Sequence, residues 1–193
     1  LVVANANVPN MLGQISETLG LAKLNIHDML NRSRRDYADT LVDLDDICVT
    51  NVNRQLHALD GSIGQPKADA MARRARAINP ECVLRPLHAF FTEANANEIL
   101  ETRFDYVLDA IDSISKKCLL IAKCREKSIP VMVVGGAGGR RNPTALNISD
   151  LAHSSHDRLL AQVRSTLRGE HGFPRGEKAF DIDCVYSRER LHY

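Results

Sequence analysis

From Pro66 onward the chain alternates short apolar runs with segments of helical length, and this alternation constrains its fold more than any other feature. Strands separated by helices pair in parallel, with the helices covering the sheet faces. Pro66 suits a first helical position. Ala68, Met71, Ala75 and Ile78 then share one face, and Asn79 and Pro80 end the helix. Strands are predicted at residues 82–84, 106–110 and 131–134, with helices between them at 93–101, capped by Thr92, and 114–127, capped by Ser113. A last helix carrying Leu159, Leu160, Val163 and Leu167 leads through a loop at 169–178 to a strand around 182–186.

Residues 1–46 follow a different rhythm of strand, helix, strand, strand. Leu1, Val2 and Val3 open a strand, and Asn10 caps a helix with Met11, Leu12, Ile15 and Leu19 on one face, closed by Gly20. Residues 24–30 extend as a strand before the polar turn 31–36, and residues 40–44 form the next strand. The expected fold is therefore α/β: a partial Rossmann-like, mostly parallel sheet with flanking helices, preceded by a strand-helix-strand-strand segment.

A chain of 193 residues, 44% hydrophobic, can bury one sizeable core or one core with a small appended module. Its 25 Lys and Arg against 24 Asp and Glu create no global field favouring nucleic acid or membrane. Cys48, Cys82, Cys118, Cys124 and Cys184 form no CxxC pair, which suits free thiols in a cytoplasmic setting. No apolar run reaches the roughly 18 to 20 residues of a membrane span, so no membrane partner is expected.

Four groups in this sequence suit a nucleotide: Asp43 at a strand end, the run Asn51, Val52, Asn53, Arg54, then Lys67, then Asp112 at another strand end. A strand-end carboxylate can accept from ribose hydroxyls, a guanidinium and an ammonium can hold phosphates, and a second carboxylate can hold magnesium. Singly, each has a plainer reading: a turn or cap for the carboxylates, a solvated face for the cations.

Taken together, LVDLDDICVTNVNRQLHAL, GQPKADAMARRARAINPEC, VLDAIDS, IPVMVVGGAGG and FDIDCVYS resemble the ThiF/MoeB superfamily, and within it the tRNA threonylcarbamoyladenosine dehydratase branch. The resemblance covers about residues 41–193. It implies ATP and magnesium as cofactors and tRNA as partner. It matches Asp43 to the ribose carboxylate, Asn51 and Arg54 to groups around the triphosphate, Lys67 to the phosphate lysine and Asp112 to the magnesium ligand. Arg54, Lys67 and Asp112 form the implied catalytic set, with Asp45 and Asp109 as neighbouring carboxylates. The implied chemistry is attack of a substrate carboxylate on the α-phosphate of ATP, followed by cyclisation with loss of AMP.

A GxGGxG-type loop, which in that superfamily joins the first strand and helix, does not occur ahead of Asp43. The stretch LVVANANVPNMLGQISETLGLAKLNIHDMLNRSRRDYADTLVDLD resembles instead the ACT domain of D-3-phosphoglycerate dehydrogenases. That resemblance implies serine or another amino acid as effector, contacted by Asn5, Asn7 and Asn25, with Pro9 and Gly13 in the turn into the helix. The expected division is a partial ACT-like segment at 1–43 and an adenylating domain at 44–193. ATP affinity is expected to be much reduced or lost, because Val8, Pro9 and Met11 stand where close backbone approach wants glycine. A homodimer is a further expectation. The alternatives are a serine-binding regulatory module or an inactive chimeric fragment.

Other features carry weaker signals. Gly135, Gly136, Gly138 and Gly139 form a turn behind a strand, read as a flexible loop or a phosphate cradle. Arg73, Arg74 and Arg76 on a helix, and Arg140 and Arg141 behind the glycines, are either solvated or meet a tRNA backbone. Cys184 reads as a half-buried strand residue, and His153 with His156 as surface.

Overall fold

A computed structural model describes residues 2–4, 39–52, 55–101 and 104–190, arranged as two compact units, Leu1–Phe91 and Thr92–Tyr193. The expected helix behind Asn10, the strand at 24–30, the turn at 31–36 and the residues Asn5, Asn7, Asn25 and Arg54 lie outside the described residues.

The first unit carries β1 (Val2–Ala4), β2 (Asp39–Val42) and β3 (Leu84–Leu87), in the order β3-β2-β1. β2 runs parallel to β3, pairing Leu41 with Pro86, and antiparallel to β1, pairing Val2 with Val42. The crossover from β2 to β3 contains helix α1 (Lys67–Ile78), which starts directly after Pro66. Ala68, Met71, Ala72 and Ala75 bury its inner face. All four residues of β2 are buried, the continuous burial expected of an inner strand. β3 starts two residues later than the predicted 82–84 run, because Asn79 and Cys82 are spent on a turn closed by the Cys82 N–H donating to the Asn79 carbonyl at 3.2 Å. Pro86 fits within β3 because this strand pairs on one side only among the described strands, so a missing N–H breaks no ladder.

The second unit holds β4 (Val107–Asp109), β5 (Val131–Val134), β6 (Leu146–Asp150) and β7 (Asp183–Ser187), in the order β4-β5-β7-β6. β4, β5 and β7 are parallel, and β6 returns antiparallel to β7. Helices α2 (Glu93–Ile99), α3 (Ile114–Glu126) and α4 (Arg158–Glu170) accompany them. The mostly parallel α/β architecture is thus as expected. β6 has no counterpart in the sequence reading: all five residues are half-buried, so neither a clean alternation nor a solid apolar run marks it. Ser113 occupies the N-cap of α3 as expected, but its hydroxyl faces Ser115 and makes no cap hydrogen bond. Asp157 caps α4, accepting from the Leu160 N–H at 2.9 Å. Asp150 organises the approach to β7 by accepting from the N–H groups of Ala152, Phe180 and Ile182. The core of this unit is built from Val107, Leu120, Ile121, Val133, Leu160, Val163 and Leu167, all fully enclosed. Cys118, Cys124 and Cys184 are enclosed with them, and burial pushes each thiol well above its ordinary value. All five cysteines are free thiols.

Among the described residues no helix is long and apolar enough to cross a membrane. One buried acid gives the first unit a pH signature. Burial raises the Asp39 carboxyl from its ordinary 3.8 to about 7, so the folded state binds a proton that the unfolded chain has released. Its contribution to stability is complete below about pH 4 and is lost as pH rises to about 7. Asp39→Asn should flatten that part of the stability curve and unfold at higher denaturant than wild type at pH 8. Denaturant melts from pH 4 to 8 check this, and parallel curves for the two proteins would contradict it.

Candidate functional site

In the first unit the segment after β2 turns sharply at its carboxylates. Asp43 follows the last residue of β2, and its Oδ1 accepts the Asp45 N–H at 2.9 Å. Asp46 forms an isolated bridge with Pro66, and the Lys67 N–H donates to the Asp45 carbonyl at 2.9 Å. These backbone ties bring the start of α1 against the end of β2. Lys67 and Asp43, 24 positions apart in sequence, are thereby both tied to Asp45. The Lys67 ammonium pairs with Asp45 Oδ2 at 2.8 Å, with the lysine side chain 11% exposed and the aspartate 54%. An ion pair with one partner so exposed contributes little to stability and can be exchanged for another anion at small cost.

Asn51 is buried, but its Oδ1 accepts the Cys48 N–H at 2.9 Å, closing the 3-10 turn Val49–Asn51. The carbonyl end of this amide is therefore engaged in holding the loop. Sequence reasoning passed over His57, which shares the electrostatic neighbourhood of Lys67, Asp43 and Arg74. Burial lowers its pKa first, Lys67 lowers it further, and Asp43 acts in the opposite direction. Its Nε2 is buried without a hydrogen-bond partner. The only trace in the sequence was its position three residues after Arg54, which is too common a spacing to be diagnostic.

The helix arginines are used structurally. Arg73 bonds to Gln65, Arg74 donates to the Leu56 carbonyl at 3.0 Å and Arg76 to the Leu84 carbonyl at 3.3 Å.

In the second unit β4 ends at Asp109, and Asp112 follows on an exposed loop before α3. That loop is anchored from beneath. Asp109 and Lys117 are both fully buried and pair at 3.1 Å through Oδ1 and Nζ. Nζ also donates to the carbonyls of Asp109 at 3.2 Å and Ile111 at 2.8 Å, while the Ile111 N–H donates to Asp109 Oδ1 at 3.0 Å. Burial pushes the Asp109 carboxyl up, and the Lys117 ammonium and Ile111 amide pull it down. Asp109 Oδ2 has no hydrogen-bond partner. Lys117 carried no signal in the sequence, since a lysine in a helix ordinarily faces water. Asp112 offers one accessible carboxylate. That suits magnesium, which takes one or two carboxylates and completes its shell with phosphate oxygens and water. Among the described residues no group of three or more His, Cys, Asp or Glu is arranged to hold a metal.

The glycine turn behind β5 is set by contact. A Cβ on Gly135 would stand 2.5 Å from Asp157 Oδ2 and 3.1 Å from the Tyr186 Cβ, so only glycine fits there. The Gly136 N–H donates to Asp157 Oδ2 at 2.9 Å, and the N–H groups of Arg141 and Asn142 both donate to Glu189 Oε2. Cys184 is enclosed rather than half-buried, while His153 and His156 are exposed.

Comparison with known proteins identifies relatives for most of this chain. The family model described as ThiF family matches residues 40–167. The tRNA threonylcarbamoyladenosine dehydratase of Haemophilus influenzae is 46% identical over 153 residues, which is 79% of this chain and 59% of the relative. The Escherichia coli protein of the same name is 45% identical over 157 residues, 81% of this chain and 59% of the relative. The solved structure of the E. coli tRNA N6-threonylcarbamoyladenosine dehydratase, TcdA, in complex with ATP superposes with a TM-score of 0.76 at 44% identity, covering 80% of this chain and 64% of that one. The chain thus spans about three fifths of the length of the curated relatives it matches.

The buried pair makes a stability prediction. Lys117→Met leaves an uncompensated acid in the core and should cost about 3 to 5 kcal/mol. Adding Asp109→Asn should recover most of that loss in denaturant unfolding. Equal and additive losses from the two substitutions would show that the pair is not coupled.

Proposed function

Since the chain belongs to the ThiF family, we propose that its larger part is an ATP-dependent adenylating domain acting on a carboxylate of threonylcarbamoyladenosine in tRNA, with catalysis weakened by its divergent N-terminal segment. The observation that carries this reading is that Asp43 and Lys67 are both tied to Asp45 just after β2, within a chain 45–46% identical over 153–157 residues to two bacterial tRNA threonylcarbamoyladenosine dehydratases. Binding of ATP by the E. coli relative supports the same ligand here.

In this reading Asp43 accepts the ribose hydroxyls and Asn51 and Arg54 line the phosphates. Lys67 leaves Asp45 to meet the phosphate oxygens. The substrate carboxylate attacks the α-phosphorus, the bond to the bridging oxygen breaks, and pyrophosphate departs. The acyl adenylate is then attacked intramolecularly and AMP leaves with the oxygen of the former carboxylate, so a water is lost overall from the tRNA base. Proximity drives that second step, since both reacting groups belong to one nucleoside. Asp112, an exposed carboxylate of the second unit, would hold magnesium, whose chemistry would be neutralisation of charge on phosphate oxygens. Lys117 and Asp109 fix the loop that carries Asp112.

Thermal unfolding tests the nucleotide site, because a ligand that binds only the folded state raises the midpoint. Saturation at about a hundredfold over the dissociation constant is worth about 2.7 kcal/mol, or a rise of about 5 to 10 °C for a chain of this size. With magnesium ATP in the millimolar range we expect an upward shift that Lys67→Ala and Asp112→Ala each abolish. A cooperative transition that magnesium ATP leaves unmoved would overturn the reading.

We keep a second reading for residues 1–43, whose described strand β1 pairs antiparallel with β2. A strand-helix-strand chain with a right-handed crossover gives parallel strands. One further reversal, as in the expected strand-helix-strand-strand order, leaves the first and last strands opposed. In this second reading we propose an ACT-like segment that responds to serine through Asn5, Asn7 and Asn25. The family match starting at residue 40 is consistent with such a boundary. Serine should raise the unfolding midpoint, and Asn5→Ala with Asn25→Ala should cancel the rise. Indifference to serine at any concentration would remove this second reading.

A further inference from the structure

Main-chain ties alone hold the segment after β2 against the lead-in to α1. The Ile47 N–H donates to the Gln65 carbonyl at 2.9 Å, the Gly64 N–H to the Ile47 carbonyl at 2.8 Å and the Lys67 N–H to the Asp45 carbonyl at 2.9 Å. The Asp45 N–H donates in turn to Asp43 Oδ1 at 2.9 Å. With its backbone pinned on both sides and its side chain 54% exposed, Asp45 can swing its carboxylate into water without loosening either element. The work left to that carboxylate is electrostatic, since its Oδ2 stands 2.8 Å from Lys67 Nζ. The Lys67 side chain is 11% exposed, so its ammonium has little water around it and needs a counter-charge. The other acid in the first turn of α1, Asp69, pairs with His88 at 3.0 Å, and it is Asp45 that neutralises the lysine.

We propose that Asp45 is a built-in competitor at the nucleotide site: it occupies Lys67 in the empty protein, yields the lysine to a polyphosphate and takes it back as that polyphosphate leaves. This rests on the adenylating reading, which supplies ATP as the incoming anion and pyrophosphate as the outgoing one. Any anion that binds through Lys67 must first displace Asp45, so its apparent affinity falls with the fraction of molecules in which the lysine is free. A polyphosphate wins the exchange because it brings several charges and several acceptor oxygens to one ammonium. A singly charged anion gains no more from Lys67 than Asp45 already gives, and the lysine stays with Asp45. On the way out, the same carboxylate replaces pyrophosphate at the ammonium, so a product that a bare lysine would retain is released.

The test is calorimetric titration of the full chain at constant ionic strength with magnesium ATP and, separately, magnesium pyrophosphate. Wild type, Asp45→Asn, Asp45→Glu, Lys67→Ala and the variant carrying both Asp45→Asn and Lys67→Ala are compared. Asp45→Asn should bind both ligands about three- to fivefold more tightly than wild type, the range an exposed ion pair allows, and should release pyrophosphate correspondingly more slowly in stopped flow. Asp45→Glu keeps the charge and should bind as wild type does. In the Lys67→Ala background Asp45→Asn should recover no binding. A gain of the same size with and without Lys67 is long-range repulsion and overturns the proposal, as does binding by Asp45→Asn that is unchanged or weaker. Wild type that binds magnesium ATP, with Asp45→Asn no tighter, removes the competitor and leaves the adenylating reading standing. Pyrophosphate tightened by Asp45→Asn while no variant binds ATP removes that reading and leaves the exchange at Lys67. Binding of neither ligand by wild type or Asp45→Asn removes both.

Discussion

The salt bridge between Asp109 and Lys117, enclosed at the end of β4, is the constraint around which the second unit is organised. A lysine with no exposed surface loses its hydration and must recover it from fixed oxygens. Here it takes one carboxylate oxygen and the carbonyls of Asp109 and Ile111, which ties α3 to the strand end and dictates the path of the intervening loop. Asp112 is exposed, but its backbone leaves an anchored Ile111. An exposed carboxylate on a loop anchored in this way suits the positioning of a charged ligand.

The first unit reaches a similar end by weaker means. Backbone hydrogen bonds between the segment after β2 and the start of α1 carry Lys67 to Asp45 and Asp43. The lysine is nearly enclosed while its partner is mostly exposed, so the pair holds the ammonium in place without committing it. His57 beside it is kept toward its neutral form by burial and by Lys67, which avoids stacking a further positive charge in the same place. The glycine turn behind β5 uses the same economy with the signs reversed: two acids are seated on backbone N–H groups, and a guanidinium is left with donors to spare.

The parts legible in the sequence were those with a strong period or a strong punctuation mark. Pro66 with Ala68, Met71 and Ala75 announced α1, and the run at 131–134 announced β5 to the residue. Motif resemblance led to the family whose model matches residues 40–167, whereas local pattern alone reads Asp43 and Lys67 as ordinary polar residues. β6 stayed hidden because every one of its residues is half-buried, and its strand conformation depends on pairing with β7, 33 residues later by the Asp150↔Asp183 match. Lys117 stayed hidden because nothing in a helical lysine tells whether it faces water or the core. The unmet donors of Arg140 depend on the positions of His156 and Asp157, which no local pattern encodes.

The most direct test of the central claim is product analysis. The full chain is incubated with magnesium ATP and a tRNA bearing threonylcarbamoyladenosine, and both the nucleotide products and the mass of the modified nucleoside are measured. The account predicts slow release of AMP and pyrophosphate, matched by loss of one water from the nucleoside, with neither seen for Lys67→Ala. Formation of ADP and phosphate, or a nucleoside unchanged while wild type and Lys67→Ala behave alike, would contradict it.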